Sequence, residues 1–70
     1  MAAIASNMAG TVYKILVQVG QVVSVGDDTV ILESMKMEVP VTAEVGGTVT
    51  RILVQEGDFV NDGDVVVELA

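Results

Sequence analysis

An internal duplication constrains this chain more than any other feature. Laid over itself with a shift of 37 positions, the sequence places Gly10-Thr11-Val12 on Gly47-Thr48-Val49, Ile15-Leu16-Val17-Gln18 on Ile52-Leu53-Val54-Gln55, and Gly20 on Gly57. The match continues without a gap through Val23 on Val60, Gly26-Asp27 on Gly63-Asp64, Val30 on Val67 and Leu32 on Leu69. Copies running over residues 1–33 and 38–70 leave Ser34, Met35, Lys36 and Met37 without counterparts. A pseudo-two-fold axis relating the copies maps Glu33 to Ala70 and Glu38 to Met1. Both chain ends then meet at one end of the molecule, with Lys36 at the other.

The repeated pattern is one of strands. Hydrophobic residues make up 51% of the chain and are mostly Val and Ile, whose branched Cβ favours a pleated, half-buried surface over a helix. No stretch has helical periodicity. The pattern predicts strands over residues 3–7, 11–19, 29–33, 37–42, 48–55 and 65–69, with a short Val22-Val23 segment between turns at Gly20-Gln21 and Val25-Gly26-Asp27. Within 11–19 the apolar residues do not alternate. A bulge between Val12 and Ile15 puts Val12, Ile15, Val17 and Val19 on one face, and Val49-Ile52-Val54 repeats the spacing. Pro40 has no amide to donate, which places it at a sheet edge or on an outward-facing backbone position. Short strands in two copies predict an all-β fold, a small barrel or sandwich of two intertwined halves with pseudo-two-fold symmetry.

Composition narrows the function. Seventy residues make one small domain, 1–70, which buries only about 60% of the surface of its unfolded chain. Cysteine and histidine are both absent, which excludes disulfides, thiolate catalysis and the usual general base near neutral pH. Ten acidic residues against Lys14, Lys36 and Arg51 give a net charge of -7, unfavourable for nucleic acid or an anionic membrane. The amino-terminal residues have no basic region followed by a long apolar run. These features predict a soluble, cytoplasmic, monomeric protein.

Lys36 stands in the one unduplicated segment, between Met35 and Met37 and near Glu33 and Glu38. Hairpin tips select Gly, Asn and polar residues, and two methionines fit that rule badly. An exposed apolar pair there reads as a recognition surface. On residue logic alone, Lys36 is either functional or one more solvated lysine. Asp58-x-x-Asn61-Asp62-Gly63 has a calcium-loop look, but Val60 and Leu69 fall at ligand positions, so it reads as a turn. Tyr13 and Phe59 are single aromatics, read as plugs of the core or the surface.

Glu33-Ser34-Met35-Lys36-Met37-Glu38, with Gly20-x-x-Val23-x-x-Gly26-Asp27 before it and Gly47-Thr48-Val49 and Glu56-Gly57-Asp58-x-Val60-x-x-Gly63-Asp64 after it, resembles the biotin/lipoyl attachment domain family. The resemblance covers essentially the whole chain and is strongest to single-domain attachment proteins and to biotin carboxyl carrier domains. It implies a flattened barrel of two four-stranded antiparallel sheets, with biotin joined by an amide to Lys36. Met35 and Met37 then flank the site for recognition, and Glu33 and Glu38 serve partner recognition. Lipoyl members usually have Asp before and Ala after the lysine, so the methionines favour biotin, with lipoate the alternative cofactor on the same residue. Ala9 and Glu44 stand where many carboxylase carrier domains have proline. The implied partners are a biotin protein ligase, a biotin carboxylase and a carboxyltransferase. The implied role is that of a carboxyl carrier and not an enzyme. Against these stands an unmodified interaction barrel in which Lys36 is only surface.

Overall fold

The Val-rich stretches of the two copies become eight strands in a computed structural model that describes residues 2–70. They are β1 (Ala2–Ala5), β2 (Gly10–Ile15), β3 (Val22–Val23), β4 (Asp28–Ser34), β5 (Met37–Thr42), β6 (Gly47–Ile52), β7 (Phe59–Val60) and β8 (Val65–Leu69). Two antiparallel four-stranded sheets have the orders β1-β8-β6-β3 and β5-β4-β2-β7. Each sheet takes its two central strands from one copy and its two edge strands from the other. Neither copy can therefore complete a sheet alone.

The duplication reaches the level of individual pairs. Val12↔Leu32, Lys14↔Ile31 and Ile15↔Val30 in one sheet become Val49↔Leu69, Arg51↔Glu68 and Ile52↔Val67 in the other. Leu32↔Val39 likewise has its image in Ala2↔Leu69. The chain ends thus pair where the image of the β4–β5 hairpin falls, and the hairpin and the ends lie at opposite poles of a body measuring 32 × 19 × 18 Å. Met1, the expected counterpart of Glu38, lies outside the described residues.

The expected bulges are present, between Val12 and Lys14 in β2 and between Val49 and Arg51 in β6. The extra residue shifts the side-chain alternation, so Val12 is buried and Ile15 packs against the same core. Val19 is a correction. It is 63% exposed, because β2 stops at Ile15 and Gln21 N–H closes a turn onto the Gln18 carbonyl at 3.1 Å, leaving Val19 at the tip. β6 likewise stops at Ile52 and β1 at Ala5, where the Ser6 hydroxyl bonds the Met8 carbonyl and draws the chain out of the ladder. Phe59–Val60, which the sequence pattern leaves unassigned between two turns, forms β7 as the image of β3.

The core sits between the sheets and is built of matched pairs, among them Val12 with Val49, Val30 with Val67 and Leu32 with Leu69. Thr29 and Ser6 are the buried polar residues among those described, satisfied by hydrogen bonds from their hydroxyls to the carbonyls of Val41, at 2.8 Å, and of Met8. Pro40 lies on β5, an edge strand, as its missing amide requires.

Candidate functional site

β4 and β5 are joined by a two-residue loop. Ser34 pairs with Met37 as the last rung, and Met35 and Lys36 make the turn. Both have left-handed backbones, with φ of 53° and 65°, which defines a type I′ turn. The twist of the flanking strands selects this turn, while the side chains oppose it: an L-residue with a Cβ pays roughly 1–2 kcal/mol in the left-handed region. Every other positive-φ position among the described residues is a glycine, at Gly20, Gly26, Gly57 and Gly63. The fold uses glycine wherever only the turn matters. At this one tip the fold holds non-glycine side chains in the strained left-handed region.

The tip is open. Met35 is 92% and Met37 65% exposed, and Lys36 is exposed between them. Among the described residues the one ion pair is Arg51–Glu68 at 4.0 Å, so no carboxylate restrains the Lys36 amine. Glu33 and Glu38 sit directly opposite each other on the rung below the closing pair, both exposed. Like charges facing across a strand pair are destabilising, so this rung weakens the hairpin. The structure thus gathers Glu33, Met35, Lys36, Met37 and Glu38 on one hairpin.

Other sequence candidates resolve into structure. Residues 61–64 form a turn in which Asn61 N–H meets the Asp64 carboxylate at 2.8 Å. Among the described residues no group of three or more His, Cys, Asp or Glu side chains converges as a metal site requires. A groove of about 350 Å³, lined by Ser6, Asn7, Thr42, Glu44 and Asp62 among others, includes none of Glu33, Met35, Lys36, Met37 and Glu38. Tyr13 and Phe59 are on the surface and not in the core. The sequence left core and surface open for them, and a signal lay where the two copies disagree: Tyr13 falls on Thr50, and Phe59 on Val22.

Two interlocked sheets enclose a largely duplicated apolar core and hold out one lysine on a strained hairpin tip. The family model described as "Biotin-requiring enzyme" matches residues 2–69, and the chain belongs to the biotin/lipoyl attachment domain family. It is 56% identical over 41 residues to a biotin-dependent acyl-coenzyme A carboxylase alpha3 subunit of Mycobacterium leprae, across 59% of this chain and 7% of that protein. It is 45% identical over 38 residues to a biotin/lipoyl attachment protein of Bacillus subtilis, across 54% of this chain and 52% of that one. The chain thus matches about half the length of the shorter relative and a small part of the longer. Among solved structures, Kluyveromyces lactis urea carboxylase superposes with a TM-score of 0.90 at 36% identity, over 99% of this chain and 6% of that one. A single-chain, multi-domain long-chain acyl-CoA carboxylase superposes at 0.84 and 32% identity, over 94% of this chain and 7% of that one. This is a biotin/lipoyl domain similar to the carrier domains of biotin-dependent carboxylases.

Proposed function

We propose that this chain is a biotin carboxyl carrier, biotinylated on Lys36 by a biotin protein ligase, that serves a biotin carboxylase and a carboxyltransferase and is not itself an enzyme. The observation that carries this reading is the exposed, unpaired Lys36 in left-handed backbone at the only unduplicated seam of the fold. A covalently held group asks of its carrier only an accessible amine on a rigid base, and the hairpin fits that demand. When bound, biotin supplies a ring nitrogen that accepts and yields a carboxyl group.

The chain's own contribution is positional. Lysine side chains are ammonium ions at neutral pH, so the ligase must take a proton from Nζ before the amine can attack an activated carboxyl. The amide then forms as the activating group leaves. The hairpin offers no general base to assist: its titratable neighbours are Glu33 and Glu38, on the rung below. What the scaffold supplies is a nucleophile at a set height above two packed sheets, which lowers the cost of orientation at each partner's site.

Intact mass tests the reading. Incubation with a biotin protein ligase, biotin and ATP is expected to add one biotin, and Lys36→Arg to abolish the addition. Label that persists in Lys36→Arg, carried by Lys14, would refute the site. One lipoate added by a lipoyl ligase, with no biotin from the other enzyme, would establish the lipoyl carrier in its place. No addition by either would leave an unmodified interaction barrel.

A further inference from the structure

The two sheets provide an internal control. Positions 37 residues apart occupy equivalent places in the two ladders, so the backbone makes the same demand of both. A residue type needed on one outer face and not on the other answers to something besides folding. On the sheet β1-β8-β6-β3, the bulge of β6 sets Thr50 and Arg51 opposite Glu68. The Thr50 hydroxyl donates to the Glu68 carbonyl at 3.2 Å, and Arg51 pairs with the Glu68 carboxylate. Val22 stands across from Thr48 on the edge strand. This face satisfies its own polar groups.

The hairpin's sheet differs at each of these places. The bulge of β2 sets Tyr13 and Lys14 opposite Ile31, and Phe59 stands across from Thr11. Ile31 replaces the carboxylate that Arg51 enjoys in the other copy, so Lys14 has no such partner. Tyr13 and Phe59 are the only aromatic residues in the chain, and they are 51% and 65% exposed. Aromatic rings are the largest hydrophobic contributions available to a small core, and this chain places both in water, on adjacent strands of one face. Thr50 and Val22 show that the fold does not require them. One continuous row, Phe59-Thr11-Glu33-Glu38, crosses all four strands of this sheet directly below the closing rung of the hairpin.

We infer that the outer face of the sheet β5-β4-β2-β7 is a docking surface for the enzyme that acylates Lys36. That partner presents an apolar pocket to Tyr13, Ile31 and Phe59 and basic side chains to Glu33 and Glu38. The inference rests on Lys36 being the attachment residue. An unmodified lysine reaches only the length of its four-carbon stem, so an enzyme forming an amide at Nζ must bring its own surface down to the hairpin and the sheet behind it. Guanidinium or ammonium groups would relieve the Glu33–Glu38 repulsion with charge-assisted hydrogen bonds. Exposed aromatic anchors beside charged side chains are among the residue types that dominate binding energy at interfaces.

The test exchanges each residue for its counterpart on the other sheet, which the equivalent backbone already accommodates. Tyr13→Thr, Ile31→Glu and Phe59→Val are combined, and the reverse variant carries Thr50→Tyr and Val22→Phe. Biotinylation rates are measured with a biotin protein ligase at varied carrier concentration. The triple variant is expected to raise KM about tenfold or more with little change in kcat, as loss of interface anchors does, and to keep its native circular dichroism. The reverse variant is expected to keep the parent KM. Tyr13→Thr and Phe59→Val, taken singly, are each expected to raise KM, and parent values for both overturn the docking surface whether or not the triple variant folds. Those values with full labelling of Lys36 sink this inference alone, whereas a parent chain that takes neither biotin nor lipoate sinks the attachment reading and this surface with it.

Discussion

The hairpin tip predicts a trade of function for stability. In Met35→Asn/Lys36→Gly, the Asn-Gly pair that type I′ turns prefer replaces two residues held at φ of 53° and 65°. The left-handed backbone costs each original residue roughly 1–2 kcal/mol, or about 2–4 kcal/mol together. Asn recovers part of its share and Gly nearly all, but Gly also enlarges the entropy of the unfolded chain by about 0.4–1 kcal/mol. No packing is lost, because Met35 is 92% exposed. The net expectation is a gain of about 1 kcal/mol. At about 4–8 °C per kcal/mol for a domain of this size, the thermal midpoint should rise by about 4 °C or more. Thermal denaturation followed by circular dichroism reads the shift, and intact mass after ligase treatment reads the complete loss of modification that accompanies it. An unchanged or lower midpoint would refute the claim that the tip stores strain.

Three further outcomes follow from the same geometry. Leu32 and Leu69 are equivalent and fully buried, so Leu32→Ala and Leu69→Ala should cost similar amounts, each about 2–5 kcal/mol in urea unfolding; a difference between them larger than about 2 kcal/mol would break the equivalence of the two halves. A Cβ on Gly47 would meet the Ala70 carbonyl oxygen at 2.8 Å, and one on Gly10 the Glu33 oxygen at 3.0 Å. Gly47→Ala should therefore destabilise by about 1–3 kcal/mol, as overpacking does, and by more than Gly10→Ala in the same denaturation assay. Met35→Asp with Met37→Ala should move modification from biotin toward lipoate when mass spectrometry follows competing ligases, and undiminished biotinylation would count against the methionines as the discriminating feature.

Much of the site was legible because it lies in one contiguous segment. The shifted self-comparison isolates Ser34, Met35, Lys36 and Met37, and a hairpin keeps sequence neighbours together in space, so Glu33 and Glu38 end on facing strands as expected. The bulges were legible because a broken alternation at Val12 and Ile15 recurs at Val49 and Ile52. Val19 was misread because alternation was carried past the point where the strand ends, and strand ends depend on partners across the ladder. Phe59–Val60 was left without an assignment for the complementary reason: two residues carry too little local pattern to declare a strand, and only the pairing with β2 makes them one.

The residues alone determined a twofold β scaffold, its bulges and its single unduplicated lysine, because each of these is written in local pattern and in repetition. The tertiary structure alone decided which strands of each copy are central and which lie at the sheet edges, and that Met35 and Lys36 would be held in a backbone that glycine serves elsewhere. It also decided that Tyr13 and Phe59 would lie outside. Those outcomes depend on which strand lies across from which. A period of two along a strand distinguishes two faces, but only long-range pairing decides which of them the core claims.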